Sequence, residues 1–182
     1  YRCFSIHHCD NSVIPNIDSE LGITVYTTNF PGCGGIIKKQ NEDFVVSEII
    51  SEKAHSKISS EFGYAVCKLK KNGIDTTHAL SEIFKKYGIR FKSLGLKDAS
   101  AVSEQFVVTT SKIKHDFLIS ESRYSLKKIG FTNKPLSKKE MVGNHFQIKI
   151  DNASDIASQF EEYDRILNFY GYQRFGSTRP IS

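Results

Sequence analysis

Residues Gly63 to Gly88, GYAVCKLKKNGIDTTHALSEIFKKYG, hold the two clearest elements of secondary structure in the chain. Their β-branched and aromatic residues predict a strand over residues 63–71. Apolar residues at intervals of three and four predict a helix over residues 76–87, with Asp75 as its N-cap and Gly88 just after its end. Alternation divides the strand between two faces, with Tyr64, Val66, Lys68 and Lys70 on one and Ala65, Cys67, Leu69 and Lys71 on the other.

Strands dominate the rest of the predicted secondary structure. A turn is predicted at residues 31–35, and a second helix at about residues 154–167. Strands and helices do not alternate regularly, so we predict an α+β fold with a largely antiparallel mixed sheet and flanking helices. The further predicted strands cover residues 22–26, 44–50, 92–96, 105–110, 123–131 and 144–150.

The composition excludes several classes of protein. Hydrophobic residues are 39% and charged residues 25% of the 182 positions, with 12 Gly and 4 Pro, which excludes collagen-like and low-complexity chains. No apolar run approaches the roughly 18 residues that a membrane helix needs, and no signal peptide is recognisable. The four cysteines form no CxxC pair, which indicates reduced thiols and a cytoplasmic protein.

The two ends of the chain indicate part of a longer protein. It begins at Tyr1 rather than at Met, and no predicted helix or strand closes it before Ser182. Residues 1–20 are polar and without a clear period, so we expect an N-terminal tail there. The domain is expected to occupy residues 21–182.

Positive charge concentrates in the middle of the chain. Residues 36–150 carry 21 Lys and Arg side chains against 12 Asp and Glu. Such an excess is typical of a surface that binds nucleic acid phosphates, although a solvated lysine-rich surface would have the same composition.

A zinc-binding module is a separate hypothesis for the N-terminal residues. Cys3, His7, His8 and Cys9 are residue types that bind zinc. Structural zinc sites usually draw two ligand pairs from separate turns, whereas these four residues crowd into seven positions. The spacing therefore argues against metal binding.

The segment from Gly95 to Gln105, GLKDASAVSEQ, contains the strongest candidate for chemistry. Asp98 stands just after the end of a predicted strand and is followed by small residues, a suitable place for a carboxylate that faces a cleft. An ordinary turn aspartate is the alternative. The sequence contains neither the G-x-S-x-G nor the HExxH pattern, so standard serine and zinc hydrolases are excluded.

Five segments together resemble the tRNA pseudouridine synthase D family, in the order in which that family has them. GLKDASAVSEQ resembles G-x-K-D-x-x-A-x-T-x-Q, and LNFYGYQRFG resembles P-N-Y-F-G-x-Q-R-F-G. IIKKQNEDFVVSE resembles K-x-x-P-E-D-F-x-V-x-E, KNGIDT resembles K-N-G-x-x-T, and GNHF resembles G-N-x-F. The GITVY…PGCGG segment resembles archaeal-type members. The departures from the pattern include Asn41 and Leu167 in place of Pro, and Ser103 in place of Thr.

The resemblance implies the N-terminal portion of a pseudouridine synthase-like catalytic domain, truncated at its C-terminus. The expected activity is isomerisation of uridine to pseudouridine in tRNA, at position 13 in this family, without a cofactor or a metal. Asp98 is then the catalytic residue, and the expected partner is tRNA, with no membrane, no obligatory protein partner and a monomeric state. The residues expected to contact the substrate are Lys38, Gln105, Asn144, Phe146 and Asn168.

The RNA backbone is expected to contact six basic residues, Lys70, Lys71, Lys85, Lys86, Arg90 and Lys92. Lys38 is the candidate cation that keeps Asp98 ionised. Two questions stay open. The carboxylate could attack C6 of uracil or C1′ of ribose, and the chain could instead be a non-catalytic RNA-binding module or an inactive portion of an enzyme.

Overall fold

The computed structural model describes residues 33–59, 61–114 and 116–162. The described residues belong to two compact units. Residues 37–149 form the larger one, and residues 33–36 and 150–162 belong to the other. The predicted strand at residues 22–26, the tail at residues 1–20 and part of the predicted second helix lie outside the described residues.

Short strands and two α-helices make up the described structure. The α-helices are α1 (Glu52–His55) and α2 (Thr76–Tyr87), and no helix among the described residues is long and apolar enough to cross a membrane. Segments of 3-10 helix cover Asn41–Asp43, Lys138–Glu140 and Asp155–Glu162. The strands are β1 (Ile36–Ile37), β2 (Phe44–Ile50), β3 (Tyr64–Asn72), β4 (Phe91–Ser93), β5 (Val102–Thr109), β6 (Leu118–Ser120), β7 (Tyr124–Thr132), β8 (Met141–Ile148) and β9 (Ile150–Asp151).

The main sheet has the order β6-β7-β3-β5-β2-β8, and β4 pairs with β5 beside it. Strands β2 and β5 pair in parallel, while the other ladders of this sheet are antiparallel. A separate two-stranded sheet pairs β1 with β9. The predicted α+β class with a largely antiparallel mixed sheet is confirmed.

Helix α2 forms as its caps predict. The Asp75 side chain accepts a hydrogen bond from the His78 amide, and Gly88 adopts φ 71° at the other end, a conformation that favours glycine. Strand β4 ends at Ser93, earlier than predicted, because the chain then enters a loop whose Gly95 carbonyl bonds a side chain of β5. The described part of the second predicted helix is 3-10 helix.

Apolar side chains pack on both faces of the main sheet. On one face, Leu69 and Leu126 pack with Ala79 and Ile83 of α2. On the other face, Val66, Phe106 and Val108 pack with α1 and the segments near it. Burial on both faces explains why β3 and β5 contain apolar residues at successive positions, which sequence alternation alone does not require.

Candidate active site

Polar side chains of β2 and β8 share one face of the main sheet. In the β2–β8 ladder Glu48 lies opposite Asn144, and Val46 lies opposite Phe146. Side chains of directly opposed residues point to the same face. In the parallel ladder with β5, Val46 is the partner of Ser103. The face that carries the predicted Asn144 and Phe146 therefore continues across β2 onto β5.

The same face continues onto β3 and is the one that α2 covers. Lys71 lies opposite Ser103, and Leu69 lies opposite Gln105. Leu69 packs against Ile83 of α2. Side chains of β8, β2, β5 and β3 therefore point to the face on which α2 packs, and Gln105 of β5 bonds the first residue of that helix.

The loop of residues 94–101, here called the Asp98 loop, is held to this face by three side chains. Gln105 Nε2 donates a hydrogen bond to the Gly95 carbonyl at 3.1 Å. Lys71 Nζ donates to the Asp98 carbonyl oxygen at 2.7 Å. Lys97 Nζ reaches back to Glu48 Oε1 at 3.0 Å. One strand residue each from β2, β3 and β5 therefore fixes the loop.

Thr76, the first residue of α2, links these contacts to the helix. Its hydroxyl accepts from the Lys97 amide at 2.9 Å and lies 2.8 Å from Gln105 Oε1, to which it donates. The Thr76 amide also donates to the Lys97 carbonyl at 3.3 Å. We call Glu48, Lys71, Thr76, Lys97 and Gln105 the buried polar cluster.

The ion pair between Glu48 and Lys97 is buried, so each charge needs the other as its partner. The side chain of Glu48 has no exposed surface, and that of Lys97 is 9% exposed. The second oxygen of Glu48 accepts from the Phe106 amide at 2.9 Å. The buried charges of Glu48 and Lys97 are thus paired with each other, and that of Glu48 accepts a further hydrogen bond, as buried charges require.

Lys71 is a buried cation with polar contacts on two sides. It is 1% exposed, and its Nζ donates to the carbonyls of Ile74 and Asp98. Burial lowers the pKa of Lys71 from 10.5 to about 8, although the charges of Asp75 and Asp98 act to raise it. The charges of Lys71 and Asp98 therefore act on each other.

Asp98 itself is exposed, although its main chain is held. This arrangement suits a carboxylate that must meet a substrate from solvent while keeping a fixed direction. The structure thus places the predicted catalytic residue in a supported loop rather than in a free turn.

Lys38 lies beside the aromatic part of this face. Its Nζ is 4.2 Å from the centroid of the Phe44 ring, which is cation–π distance. The Phe44 ring in turn meets the Phe146 ring edge to face, with centroids 6.0 Å apart. Lys38 has a φ of 54°, a left-handed conformation that is uncommon for a residue other than glycine. The structure thus links two predicted substrate contacts, Lys38 and Phe146, through Phe44.

Asn144 and Phe146 lie on the exposed strand β8. Phe146 is 52% exposed, and Asn144 is exposed as well. Both side chains are accessible to a base that leaves its stack. Asn168 lies outside the described residues.

Two predicted contact residues occupy different positions from those expected. Gln105 has no exposed surface, and Lys71 is 1% exposed. Gln105 holds the Gly95 carbonyl instead of facing a substrate, and the Lys71 ammonium presents no surface to a phosphate. We therefore leave both residues out of the contact sets.

Sequence reasoning did not single out Glu48 and Thr76 as site residues. Both stand inside segments that carry the family resemblance. Glu48 is the last residue of the K-x-x-P-E-D-F-x-V-x-E match, and Thr76 is the last of the K-N-G-x-x-T match. The signal was therefore present, but nothing in the sequence assigned these residues to holding a loop.

The exposed basic residues lie at several places on the larger unit, and only Lys70 is next in sequence to a member of the buried polar cluster, Lys71. Arg90 lies 4.2 Å from the Phe84 ring centroid, and Lys86 pairs with Glu121 at 2.6 Å. Lys86 lies ten positions after Thr76 in α2, which corresponds to about 15 Å along the helix axis. Lys70 lines a cavity of about 480 Å³ that also includes Arg123. Lys70, Lys85, Lys86, Arg90 and Lys92 are all exposed.

No group of three His, Cys, Asp or Glu residues is arranged to hold a metal ion within residues 33–59, 61–114 and 116–162. The hypothetical zinc ligands Cys3, His7, His8 and Cys9 lie outside these ranges. The described candidate site is therefore built from carboxylate, ammonium, amide and aromatic groups.

Known proteins of one family are similar in sequence to nearly the whole chain. The family model of tRNA pseudouridine synthase D matches residues 20–182. A protein of Methanococcoides burtonii named "Probable tRNA pseudouridine synthase D" is 29% identical, over 93% of this chain and 41% of its own length. A protein of the same name from Pyrococcus furiosus is 33% identical, over 89% of this chain and 40% of its own length.

A solved structure has a fold similar to that of this chain. The crystal structure of the protein of the same family from Methanosarcina mazei has a TM-score of 0.75 and 27% sequence identity. It matches 92% of this chain and 41% of its own. The chain thus spans about two fifths of the length of the relatives that it matches.

Proposed function

The chain belongs to the tRNA pseudouridine synthase D family, and we propose that it serves the isomerisation of uridine to pseudouridine in tRNA, at position 13. The observation that carries the proposal is the support of Asp98 by the buried polar cluster. Lys71 of that cluster holds the main-chain carbonyl of Asp98, and Asp98 is nevertheless exposed to solvent. A supported, accessible carboxylate is what a reaction with an RNA-bound base requires.

Asp98 is the proposed nucleophile. The bond between N1 of uracil and C1′ of ribose breaks, the base turns, and a bond forms between C5 and C1′. The proton of C5 is lost and N1 gains one, so the reaction is an isomerisation that consumes no further reactant. Attack by the Asp98 carboxylate on either C1′ or C6 is compatible with this balance.

Phe146, Asn144 and Lys38 are the proposed contacts of the target base. A base that leaves its stack loses a few kcal/mol, and stacking on an exposed aromatic ring returns about 1–3 kcal/mol. The exposed Phe146 ring offers such a surface. An Asn side chain at the adjacent position of the same face can bond the edge of the base. Asn168 is proposed as a further contact on the family resemblance alone.

The RNA backbone is proposed to contact exposed basic side chains of the larger unit. Such contacts release counterions, so binding should weaken steeply as salt increases. The side chains are those of Lys70, Lys85, Lys86, Arg90 and Lys92. A double Lys85→Gln, Lys86→Gln replacement should lower the slope of log affinity against log salt by about 2.

Residues 21–182 are proposed to be the N-terminal part of the catalytic domain, preceded by a tail at residues 1–20. The proposed enzyme uses no cofactor and no metal, acts as a monomer without an obligatory protein partner, and works in the cytoplasm. The family membership supports this set of proposals.

The test is pseudouridine formation in an unmodified tRNA transcript, with the parent chain and with Asp98→Asn. We expect product from the parent, none from Asp98→Asn, and similar tRNA affinity for both. Asp116→Asn is the matched control, because the Asp116 side chain is 80% exposed and pairs with Lys128, outside the site.

Two results would overturn parts of the proposal. Turnover by Asp98→Asn at the parent's rate would remove Asp98 as the nucleophile. Salt-dependent tRNA binding without product from any variant would favour the alternatives, an inactive portion of an enzyme or a non-catalytic RNA-binding module.

A further inference from the structure

Lys71 joins two loops through one buried ammonium group. Its Nζ donates to the Ile74 carbonyl at 2.8 Å and to the Asp98 carbonyl at 2.7 Å. Ile74 lies in the turn between β3 and α2, and Asp98 lies between β4 and β5. These segments are 24 residues apart in the sequence, so the ammonium is a cross-link between them rather than part of a local turn.

The contact of Lys71 with the Asp98 carbonyl restricts the backbone of Asp98. The carbonyl belongs to the peptide group that joins Asp98 to Ala99, so fixing this oxygen restricts the ψ angle of Asp98. The backbone fixes the direction of the Cα–Cβ bond, and rotation about that bond leaves the carboxylate a few staggered positions. A hydrogen bond to the carbonyl therefore restricts the directions open to the exposed carboxylate, without touching it.

Packing alone does not account for a lysine at this position. Lys71 shares its strand face with Ala65, Cys67 and Leu69, which are buried and apolar. An aliphatic residue would fill this position without the cost of burying a charge. The charged groups that act on Lys71 are Asp75 and Asp98, which favour the ammonium, and Lys97, which opposes it.

We propose that Lys71 is a positioning residue for the reaction at Asp98: its ammonium holds the Asp98 carbonyl and thereby limits the directions that the carboxylate can take, while it contacts no substrate itself. This inference rests on the proposed function, because it assigns a purpose to the restricted direction. It gives Lys71 a role in the reaction, whereas the charge pattern of the sequence predicts that Lys71 contacts the RNA backbone.

A first test follows the carbonyl carbons of Asp98 and Ile74 by nuclear magnetic resonance, in the parent chain, as pH increases. Both signals should shift together with a midpoint near the Lys71 pKa of about 8. Carboxyl groups titrate about four pH units lower, so their signals are separate. The shared step should be absent in Lys71→Met and present in Lys127→Met, whose lysine is exposed on β7. The parent titration alone decides this point if Lys71→Met does not fold.

A second test separates positioning from binding. Single-turnover rates on tRNA should fall about 100-fold in Lys71→Met, the effect of misplacing a reacting group by about 1 Å. The tRNA dissociation constant should change by less than about twofold, because Lys71 is 1% exposed and its ammonium bonds two carbonyls. Lys71→Arg, which keeps the charge, should restore part of the rate.

The two tests fail in different ways. Independent titration of the two carbonyls, or a parent-like rate in Lys71→Met, would overturn the positioning role. A weakened tRNA affinity with an unchanged rate would return Lys71 to the phosphate-binding set. A shared carbonyl step in a parent chain that forms no pseudouridine would count against the proposed reaction and not against the contact.

Discussion

The Asp98 loop and strand β8 both contribute to the candidate site, but the structure supports them very differently. The loop is tied to three strands and a helix by buried side chains. Strand β8 pairs with β2 at the edge of the main sheet, and most of its side chains are exposed. One part of the site is thus held from beneath, whereas the other is an open surface.

This difference corresponds to two chemical tasks. A nucleophile must be kept within a narrow range of directions, which demands residues that hold its main chain. A surface that stacks on a base must be accessible, and it tolerates variation in how it is supported. We therefore expect substitutions beneath the loop to change stability and rate, and substitutions on β8 to change binding.

Removing the buried carboxylate should have the largest effect on stability. Glu48→Ala leaves the Lys97 ammonium without its carboxylate and the Phe106 amide without its acceptor. Loss of one partner of a buried pair costs about 3–5 kcal/mol. Urea unfolding of the parent and the variant measures this difference.

Glu104→Ala is the matched control in the same sheet. Glu104 pairs with Lys68 at 2.6 Å, but the two side chains are 38% and 40% exposed. An exposed pair of this kind contributes at most about 1 kcal/mol. Equal losses of unfolding free energy in Glu48→Ala and Glu104→Ala would show that the buried ion pair stabilises the protein no more than the exposed pair does.

The buried ammonium of Lys71 should make stability depend on pH. Its pKa is about 8 in the folded chain and near 10.5 when exposed, so the unfolded chain binds more protons between these values. Stability relative to Lys71→Met should then rise by about 3 kcal/mol from pH 8 to pH 10.5. Unfolding of both chains at matched pH values measures the rise, and a constant difference would contradict it.

Loss of the Phe146 ring should weaken RNA binding and leave the fold intact. Phe146→Ala removes a half-exposed ring whose aromatic neighbour is Phe44. The affinity for tRNA should fall by about 1–3 kcal/mol, the contribution of stacking on one base. Filter binding measures it, with Gln147→Ala as the control on the opposite face of β8. An equal loss in both variants would mean that the ring does not act by stacking.

A pair of glycine substitutions should produce the smallest effect. A Cβ at Gly95 would lie 3.0 Å from Glu48 Oε1 and 3.1 Å from Lys97 Nζ, whereas one at Gly143 would meet nothing within 4 Å. Gly95→Ala should cost about 1 kcal/mol by crowding the ion pair. Gly143→Ala on β8 should be neutral or slightly stabilising. Thermal unfolding that ranks them in the reverse order would contradict the comparison.

Local patterns were sufficient to predict much of the described fold. Helix α2 has a polar N-cap, apolar residues at helical spacing and a glycine at its end, all of which act within a few residues. The parallel pairing of β2 with β5 was not predictable in this way. It joins Val45 to Val102, and nothing local to either residue records that contact.

The candidate site shows the same division. Asp98, Asn144 and Phe146 stand in motifs whose residue types indicate chemistry, and the structure leaves them exposed. Lys71 was predicted as a phosphate contact because charged residues usually lie at the surface. Lys71 shares its predicted strand face with Ala65, Cys67 and Leu69, which are apolar. The alternation pattern therefore already indicated that Lys71 is buried, although its charge indicated a surface position.

The ion pair beneath the loop also has a consequence in time. Glu48 and Lys97 are 49 residues apart, and a chain is synthesised from its N-terminus at about 5–20 residues per second. The Glu48 carboxylate is therefore made about 2–10 seconds before the ammonium that neutralises it. During this interval β2 has neither its buried partner nor the parallel strand beside it. The contacts that hold the Asp98 loop need residues up to Phe106, so a nascent chain can complete them before β6, β7 and β8 have been made.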